Sequence, residues 1–157
     1  MMVVMQILIL AVGKESSLAT ADIQHEYERR LKSHAAITWK LLPAARSIEP
    51  PLAKEQESSM ILSQLKPTDT VLLLDERGIE QSNEEFAKTF EHLAGTHGRL
   101  VCVIGGAFGV TDAVRSRASF VWSLSKLVFP HQIVRVMLLE QLYRTYMVLN
   151  NHPYHHS

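Results

Sequence analysis

The feature that most constrains the fold is a pair of short apolar segments in the last third of the chain. The first, residues 100–104, runs into a glycine-rich segment, 105–109, and the second, residues 120–124, runs into the polar pair Ser125 and Lys126. Both patterns predict buried strands that end in loops. In an open α/β sheet, ligands bind outside the carboxyl ends of the strands. We therefore predict that these loops hold a cofactor.

Strand patterns and helix patterns alternate along the whole chain. Apolar runs predict strands at residues 3–12, 36–42, 71–74, 100–104 and 120–124. Helical periodicity and capping residues predict helices at residues 18–32, 52–65, 82–93 and 130–150. This alternation is typical of a parallel sheet with helices on both faces, and 157 residues suit one domain.

Local signals add detail to three of these elements. In the first helix, the apolar residues recur on a roughly helical period and are expected to face the core: Leu18, Ile23, Tyr27 and Leu31. The polar residues 75–78 are expected to break the third strand, which leaves Leu74 at its carboxyl end. Ser82 and Glu85 have the spacing of a capping box and predict the start of the third helix.

The single cysteine and the apolar N-terminal run bear on the cellular setting. Cys102 lies inside a predicted strand, so we interpret it as a buried core thiol that suits a reducing cytoplasm. The N-terminal run is short, contains Gln6 and has no basic residues before it. We interpret it as a strand and not as a signal peptide or a membrane span. We therefore expect a cytoplasmic protein.

Charge is balanced overall but uneven along the chain. The 16 basic and 16 acidic side chains give a formal net charge of zero. Residues 113–157 nevertheless contain a single acid, Glu140, against five basic residues: Arg115, Arg117, Lys126, Arg135 and Arg144. This concentration indicates a phosphate-bearing partner, and the alternative is an ordinary solvated basic face.

The predicted helix 130–150 is apolar on nearly every side. Pro130 suits its first turn, where the missing N–H is not needed. A helix of this composition has to be buried all round, and one face of a sheet covers only half of it. We therefore predict a homodimer, with Leu139 and Leu142 as candidate interface residues. The alternative is a central helix within a monomer.

The glycine segment and the C-terminal tail are the candidate chemical features. Residues 105–109 match neither the dinucleotide fingerprint nor a Walker loop, and a simple tight turn is the alternative to a ligand site. The tail 152–156 is rich in histidine, but no carboxylate or thiolate lies nearby, so we predict no metal site. Tyrosine and histidine can also stack on unpaired bases and exchange protons.

Longer motifs carry a family resemblance. The most specific ones lie in the C-terminal third and read IGGAFGV, WSLSKLVFPHQIVRVMLLEQLYRTY and NHPYHH. Others follow the same order from the start of the chain: LILAVGK, HEYERRLK, KEQESSMIL and VLLLDERG. Together they resemble the ribosomal RNA large subunit methyltransferase H family over the whole chain. Its members are SPOUT-class enzymes that methylate N3 of a pseudouridine in bacterial 23S rRNA.

The resemblance implies a fold, a cofactor and an assembly. It implies one SPOUT domain over residues 1–157, of the α/β class, with a trefoil knot in its C-terminal part. It also implies a homodimer that uses S-adenosylmethionine and acts on rRNA. Two departures reduce the expected phosphate contacts: His156 replaces a basic residue that often follows Tyr-His, and residues 15–17 are less basic than in many relatives.

The resemblance also assigns roles to residues of this sequence. The methyl donor is expected to contact eight of them: Leu74, Gly105, Leu124, Ser125, Lys126, Leu127, Val128 and Phe129. The catalytic and substrate-side residues are expected to be Tyr154, His155 and Arg144, with Lys126 and the tail also placing RNA. Two alternatives remain, namely a SPOUT methyltransferase that acts on tRNA and a non-catalytic ribosome-binding factor with the same fold.

Overall fold

A computed structural model describes residues 4–96 and 98–151 of the chain. Within them, strands and helices alternate in this order: β1 (Met5–Val12), α1 (Leu18–Leu31), β2 (Ala35–Leu42), α2 (Pro50–Ser63), β3 (Thr70–Ile79), α3 (Asn83–Ala94), β4 (Leu100–Ile104), α4 (Asp112–Arg117), β5 (Phe120–Trp122) and α5 (His131–Leu149). The predicted alternation is confirmed. The added element is α4, whose six residues are too few to show a helical period.

The strands form one parallel sheet in the order β2-β1-β4-β3-β5. β4 lies between β1 and β3, and all five of its residues are buried. Alternate residues of the central strands enter two separate cores, as the period of a strand requires. Cys102 belongs to one core and Val103 to the other.

Helices cover both faces of the sheet, as predicted. The core that contains Cys102 also contains buried residues of α1, α3 and α5. The core that contains Val103 includes Ile61 of α2 and Val114 of α4. The α/β class with helices on both faces is therefore confirmed, and the trefoil knot stays a prediction.

The apolar helix α5 is covered largely within its own chain. It packs between α1 and α3 on the sheet, and Leu138, Leu139 and Leu142 are fully buried there. The expectation that Leu139 and Leu142 lie at a subunit interface is therefore wrong, because neighbouring helices supply the cover that one sheet face cannot. A substitution at either position would test folding and not assembly.

Two apolar residues of α1 face outward, contrary to expectation. Leu18 is 90% exposed and Ile23 is 49% exposed. The helix packs on α5 through another side, where Tyr27 contacts the ring of Tyr143 and Leu31 is fully buried. The spacing of the apolar residues alone did not show which side of α1 packs on the protein.

β3 is longer than the sequence indicates. Residues 75–78 do not end it, because pairing with β5 resumes at Ile79 after a shift in register. Gly78 permits this close approach, since a Cβ there would lie 2.5 Å from the carbonyl oxygen of Val121. The polar segment is thus an irregular part of the strand and not a loop.

The capping box at the start of α3 is present as predicted. Ser82 Oγ accepts a hydrogen bond from the Glu85 N–H at 3.1 Å, and Glu85 Oε2 accepts one from the Ser82 N–H at 2.8 Å. Replacing Ser82 with alanine is expected to lower the free energy of unfolding by about 1 kcal/mol. Urea denaturation measures this difference in stability, with Ser59→Ala, at an exposed position of α2, as the matched control. An unchanged midpoint for Ser82→Ala would contradict the cap's contribution.

Cys102 is fully buried in β4, and burial raises the pKa of its thiol to about 12. Its prediction as a core thiol is confirmed. Among the described residues, no helix combines the length and the apolar character that crossing a membrane requires.

Candidate functional site

A cavity of about 610 Å³ opens at the carboxyl ends of β3, β4 and β5. Its walls come from the segments 74–77, 104–110, 124–125 and 127–131, with Arg115 and Val134 behind them. The three strand ends meet because β3 lies between β4 and β5 and all pairs are parallel. The volume lies within the range of about 300–1,000 Å³ typical of small-molecule sites.

The cavity brings together most of the residues that the resemblance assigns to the methyl donor. Seven of the eight line it: Leu74, Gly105, Leu124, Ser125, Leu127, Val128 and Phe129. Lys126 does not line it. Its side chain is 88% exposed, and its Nζ lies 3.9 Å from Glu80 Oε1.

The glycine loop 105–109 is shaped by contacts beneath it. A Cβ on Gly105 would lie 2.7 Å from Val110 Cγ1, and one on Gly106 would overlap the carboxylate of Glu57. Gly109 has a φ of +80°, which favours glycine, and its N–H donates to the Gly106 carbonyl at 3.1 Å. The loop needs glycine because it packs closely on the protein, and this leaves its other side to the cavity.

Arg115 of α4 joins two walls of the cavity. Its Nη1 donates to the Val110 carbonyl at 2.9 Å and to Asp75 Oδ2 at 3.4 Å, and its Nη2 donates to Asp112. The hydrogen bond with Asp112, opposed by burial, raises the pKa of Arg115. This arginine therefore fixes the end of the glycine loop against β3.

The loop after β5 is held by its own serines. Ser123 Oγ donates to the Ser125 carbonyl at 2.9 Å, and Ser125 Oγ accepts from the Leu127 N–H at 3.0 Å. Leu127 and Val128 are nevertheless 70% and 81% exposed. The rim of the cavity is thus a hydrogen-bonded loop with two exposed apolar side chains.

Sequence reasoning missed a buried polar group behind the cavity. His131 lines the wall, and Glu57 and Arg135 lie close enough to influence it electrostatically. Burial, and then Arg135, lower the pKa of His131 against the opposing effect of Glu57, which keeps the imidazole neutral at pH 7. These residues come from α2 and α5, so only tertiary packing brings them together.

The interpretation of the C-terminal basic residues needs correction. Most of them serve the chain's own structure. Arg135 is 2% exposed and donates to the Lys14 carbonyl at 2.7 Å, and Arg117 donates to the carbonyls of Lys66 and Asp69. Of the five, Lys126 is the one with a largely exposed side chain, so their count overstates the charge offered to a partner.

The predicted catalytic residues do not join the cavity within the described chain. Arg144 donates to Glu140 Oε1 at 2.8 Å and is not among the lining residues. It lies ten residues beyond Val134 on α5, which corresponds to about 15 Å along the helix. Tyr154 and His155 lie outside the described residues.

The described geometry suits a small organic ligand held by backbone and apolar groups. Leu74, Leu124 and Phe129 give the cavity apolar walls, and the glycine loop offers backbone N–H and carbonyl groups beside the charged residues 75–77 and Arg115. No group of three or more His, Cys, Asp or Glu side chains that could hold a metal occurs among residues 4–96 and 98–151. The arrangement therefore defines a ligand site.

Comparison with known proteins gives the family. A protein-family model described as "Predicted SPOUT methyltransferase" matches residues 5–155. A solved structure of a probable methylase family protein from Haemophilus influenzae Rd KW20 has the same fold, with a TM-score of 0.50 and 15% identity over 92% of this chain and 66% of the other. The chain therefore belongs to the SPOUT methyltransferases.

Two curated relatives narrow the family further. Ribosomal RNA large subunit methyltransferase H of Porphyromonas gingivalis ATCC 33277 is 39% identical over 158 aligned residues, which cover 98% of this chain and all of the relative. The protein of the same name from Gloeobacter violaceus is 39% identical over 153 residues, with the same coverage. The chain belongs to this methyltransferase H family, and the resemblance that its motifs indicate is confirmed.

Proposed function

We propose that the protein transfers a methyl group from S-adenosylmethionine to N3 of a pseudouridine in 23S rRNA of the large ribosomal subunit. The observation that carries the proposal is a cavity formed jointly by three adjacent strand ends, in a chain of the SPOUT methyltransferase family. We further propose one catalytic domain over residues 1–157, acting in the cytoplasm on ribosomal RNA. The names of the relatives support rRNA as the substrate class.

The residues of the cavity would hold the donor by shape and backbone contact. Three residues of the loop that line the cavity, Gly105, Gly106 and Gly109, have no side chain, so a ligand can approach their N–H and carbonyl groups. The lining contains the acidic residues Asp75 and Glu76 and the basic residues Arg77 and Arg115, and the neutral imidazole of His131 adds no further positive charge. When bound, the donor would supply a methyl group on a positively charged sulfur.

The chain's own groups then have two tasks at the acceptor. They must hold N3 in line with the methyl group, and they must remove the N3 proton. We assign these tasks to Tyr154 and His155, with Arg144 on the substrate side. The exposed Lys126, and Arg77, which is exposed at the cavity wall, would contact RNA phosphates.

We propose that two copies of the chain share each site. Fifteen residues separate Val134 at the cavity from Leu149 at the end of α5, which corresponds to about 22 Å. The five residues from Leu149 to Tyr154 span at most about 18 Å, too little to return to that cavity. If Tyr154 serves a donor cavity, that cavity therefore belongs to a second copy of the chain.

Exposed apolar residues supply a candidate contact surface for the second copy. Leu18, Leu127, Val128 and Ile133 are all exposed, and Gln132 at the start of α5 accepts a hydrogen bond from the Ser17 N–H at 2.9 Å. The starts of α1 and α5 are thus adjacent, next to the loop 127–128. Covering such residues is a common reason for a soluble chain to associate.

A methylation assay tests the proposed activity. The protein is mixed with S-adenosylmethionine labelled in its methyl group and with 23S rRNA, either free or in assembled ribosomes. Label is expected at N3 of one pseudouridine, and a matched RNA with uridine at that position should stay unlabelled. Mass spectrometry of the digested RNA locates the methyl group.

The alternatives make different predictions in the same assay. Labelling of tRNA in place of 23S rRNA would indicate the tRNA-modifying alternative. Ribosome binding without labelling of any RNA, at saturating S-adenosylmethionine, would indicate a non-catalytic factor. Either result would replace the proposed function.

A further inference from the structure

A buried carboxylate lies behind the cavity without a full set of partners. Glu57 of α2 is 4% exposed, and its Oε2 accepts a hydrogen bond from the Ala45 N–H at 2.9 Å. Its Oε1 is buried and has no hydrogen-bond partner among the described residues. Buried polar atoms are rarely left in this state, since an unpaired one is destabilising. Glu57 therefore requires an explanation.

The carboxylate is separated from the cavity by one glycine. Gly106 lines the cavity, and a Cβ built on it would lie 2.8 Å from Glu57 Cδ and overlap Oε1. The next residue of α2 supports the same loop, because Ser58 Oγ accepts a hydrogen bond from the Thr111 N–H at 3.0 Å. A negative charge thus lies behind the part of the loop that a ligand would contact.

Nearby cationic groups do not form an ion pair with this carboxylate among the described residues. The buried Arg135 directs its Nη1 toward the Lys14 carbonyl at 2.7 Å, and its Nε has no partner. His131 faces the cavity and stays neutral at pH 7. The field of Glu57 is therefore not cancelled by a direct ion pair, and burial reduces its screening by bulk water.

We propose that Glu57 is a positioning residue that makes the donor site selective for a positively charged ligand. The proposal rests on the proposed function, in which S-adenosylmethionine binds in this cavity. On methyl transfer, N3 forms a bond to the methyl carbon as the S–CH₃ bond breaks, and the N3 proton goes to the base that we assign at the acceptor. The electron pair of the broken bond stays on sulfur, so the sulfonium becomes a neutral thioether. Glu57 would attract the donor more than the product, S-adenosylhomocysteine, and so favour exchange of product for fresh donor.

The test compares the two ligands in Glu57→Gln. Glutamine keeps the size of the side chain and an oxygen that can accept from the Ala45 N–H, but it removes the charge. Isothermal titration calorimetry should show that the Kd for S-adenosylmethionine rises about tenfold, while the Kd for S-adenosylhomocysteine changes by less than about twofold. The exposed Glu55→Gln, on the same helix, is the matched control and should leave both constants unchanged.

Each outcome has a defined meaning. An equal loss of affinity for both ligands would show that Glu57 shapes the loop only, and it would overturn the proposed charge selectivity. Unchanged constants would overturn it too. If the wild-type protein binds neither ligand, the proposed function fails first, which distinguishes the two failures.

A second measurement uses only the wild-type protein, so it does not depend on whether a variant folds. An S-adenosylmethionine analogue with a tertiary amine in place of the sulfonium is charged at low pH and neutral at high pH. The wild-type protein is expected to bind the charged form about tenfold more tightly, with S-adenosylhomocysteine measured at each pH as the reference. A constant ratio between the two ligands across the titration of the amine would overturn the proposal.

Discussion

Replacing Gly105 with valine is expected to weaken the binding of S-adenosylmethionine by about a hundredfold. The new Cβ would lie 2.7 Å from Cγ1 of Val110, which is itself buried and stiff. The loop must therefore move, and it lines the cavity that we assign to the donor. The cause is thus crowding beneath the loop, and not occupation of the space for the ligand. Calorimetry measures the effect.

Gly95→Val provides the matched control for this change. Gly95 follows α3, has an ordinary φ of −77°, and its added Cβ would be 3.4 Å from the Glu91 carbonyl oxygen. It is not among the residues that line the donor cavity. Its donor affinity should match that of the wild type. Unchanged affinity in a folded Gly105→Val protein would remove the glycine loop from the donor site.

Deleting residues 153–157 is expected to abolish methyl transfer while donor binding and folding are largely kept. The deletion removes Tyr154 and His155, which we assign to N3 positioning and proton removal. The described cavity is built from residues 74–134, so the donor keeps its walls. Single-turnover methylation and calorimetry on the same preparation measure the two effects separately. Normal methylation by the shortened protein would exclude a role for the tail.

A mixing experiment tests whether the tail acts on the second copy of the chain. The tail-deleted subunit keeps a good cavity, and the Gly105→Val subunit keeps a good tail. If sites are shared, random pairing of the two inactive proteins restores roughly a quarter of wild-type activity, because half of the dimers regain one of two sites. Recovery should follow subunit exchange. No recovery in proven heterodimers would mean that each site is built within one chain.

The sheet was predictable because its signals are local and strong. Continuous apolar runs mark β1 and β4, and the Ser82 capping box marks α3. The path of β3 beyond Leu74 was not predictable, because it depends on the approach of β5 to Gly78. The exposure of Leu18 depends on which side of α1 meets α5, and one helical period does not determine that.

The candidate site likewise contains residues that could be predicted from the sequence and residues that could not. The lining residues Leu74, Gly105 and Ser125 follow strands, so topology rules and motifs could point to them. Glu57 and His131 gave no sequence signal, because their roles arise from packing between α2, the glycine loop and α5. The count of basic residues was misleading for a related reason: the carbonyl partners of Arg117 and Arg135 are invisible until the chain is folded.

The reactivity of Cys102 reports on unfolding of the central sheet. A thiol reacts with alkylating reagents as the thiolate, and burial with a pKa of about 12 keeps this one protonated and inaccessible. β4 is paired on both edges, so the sulfur meets a reagent only when the middle of the sheet separates. Alkylation at the single cysteine therefore counts unfolding events. Because Cys102 does not react in the folded protein, a second cysteine introduced at the surface can be labelled selectively.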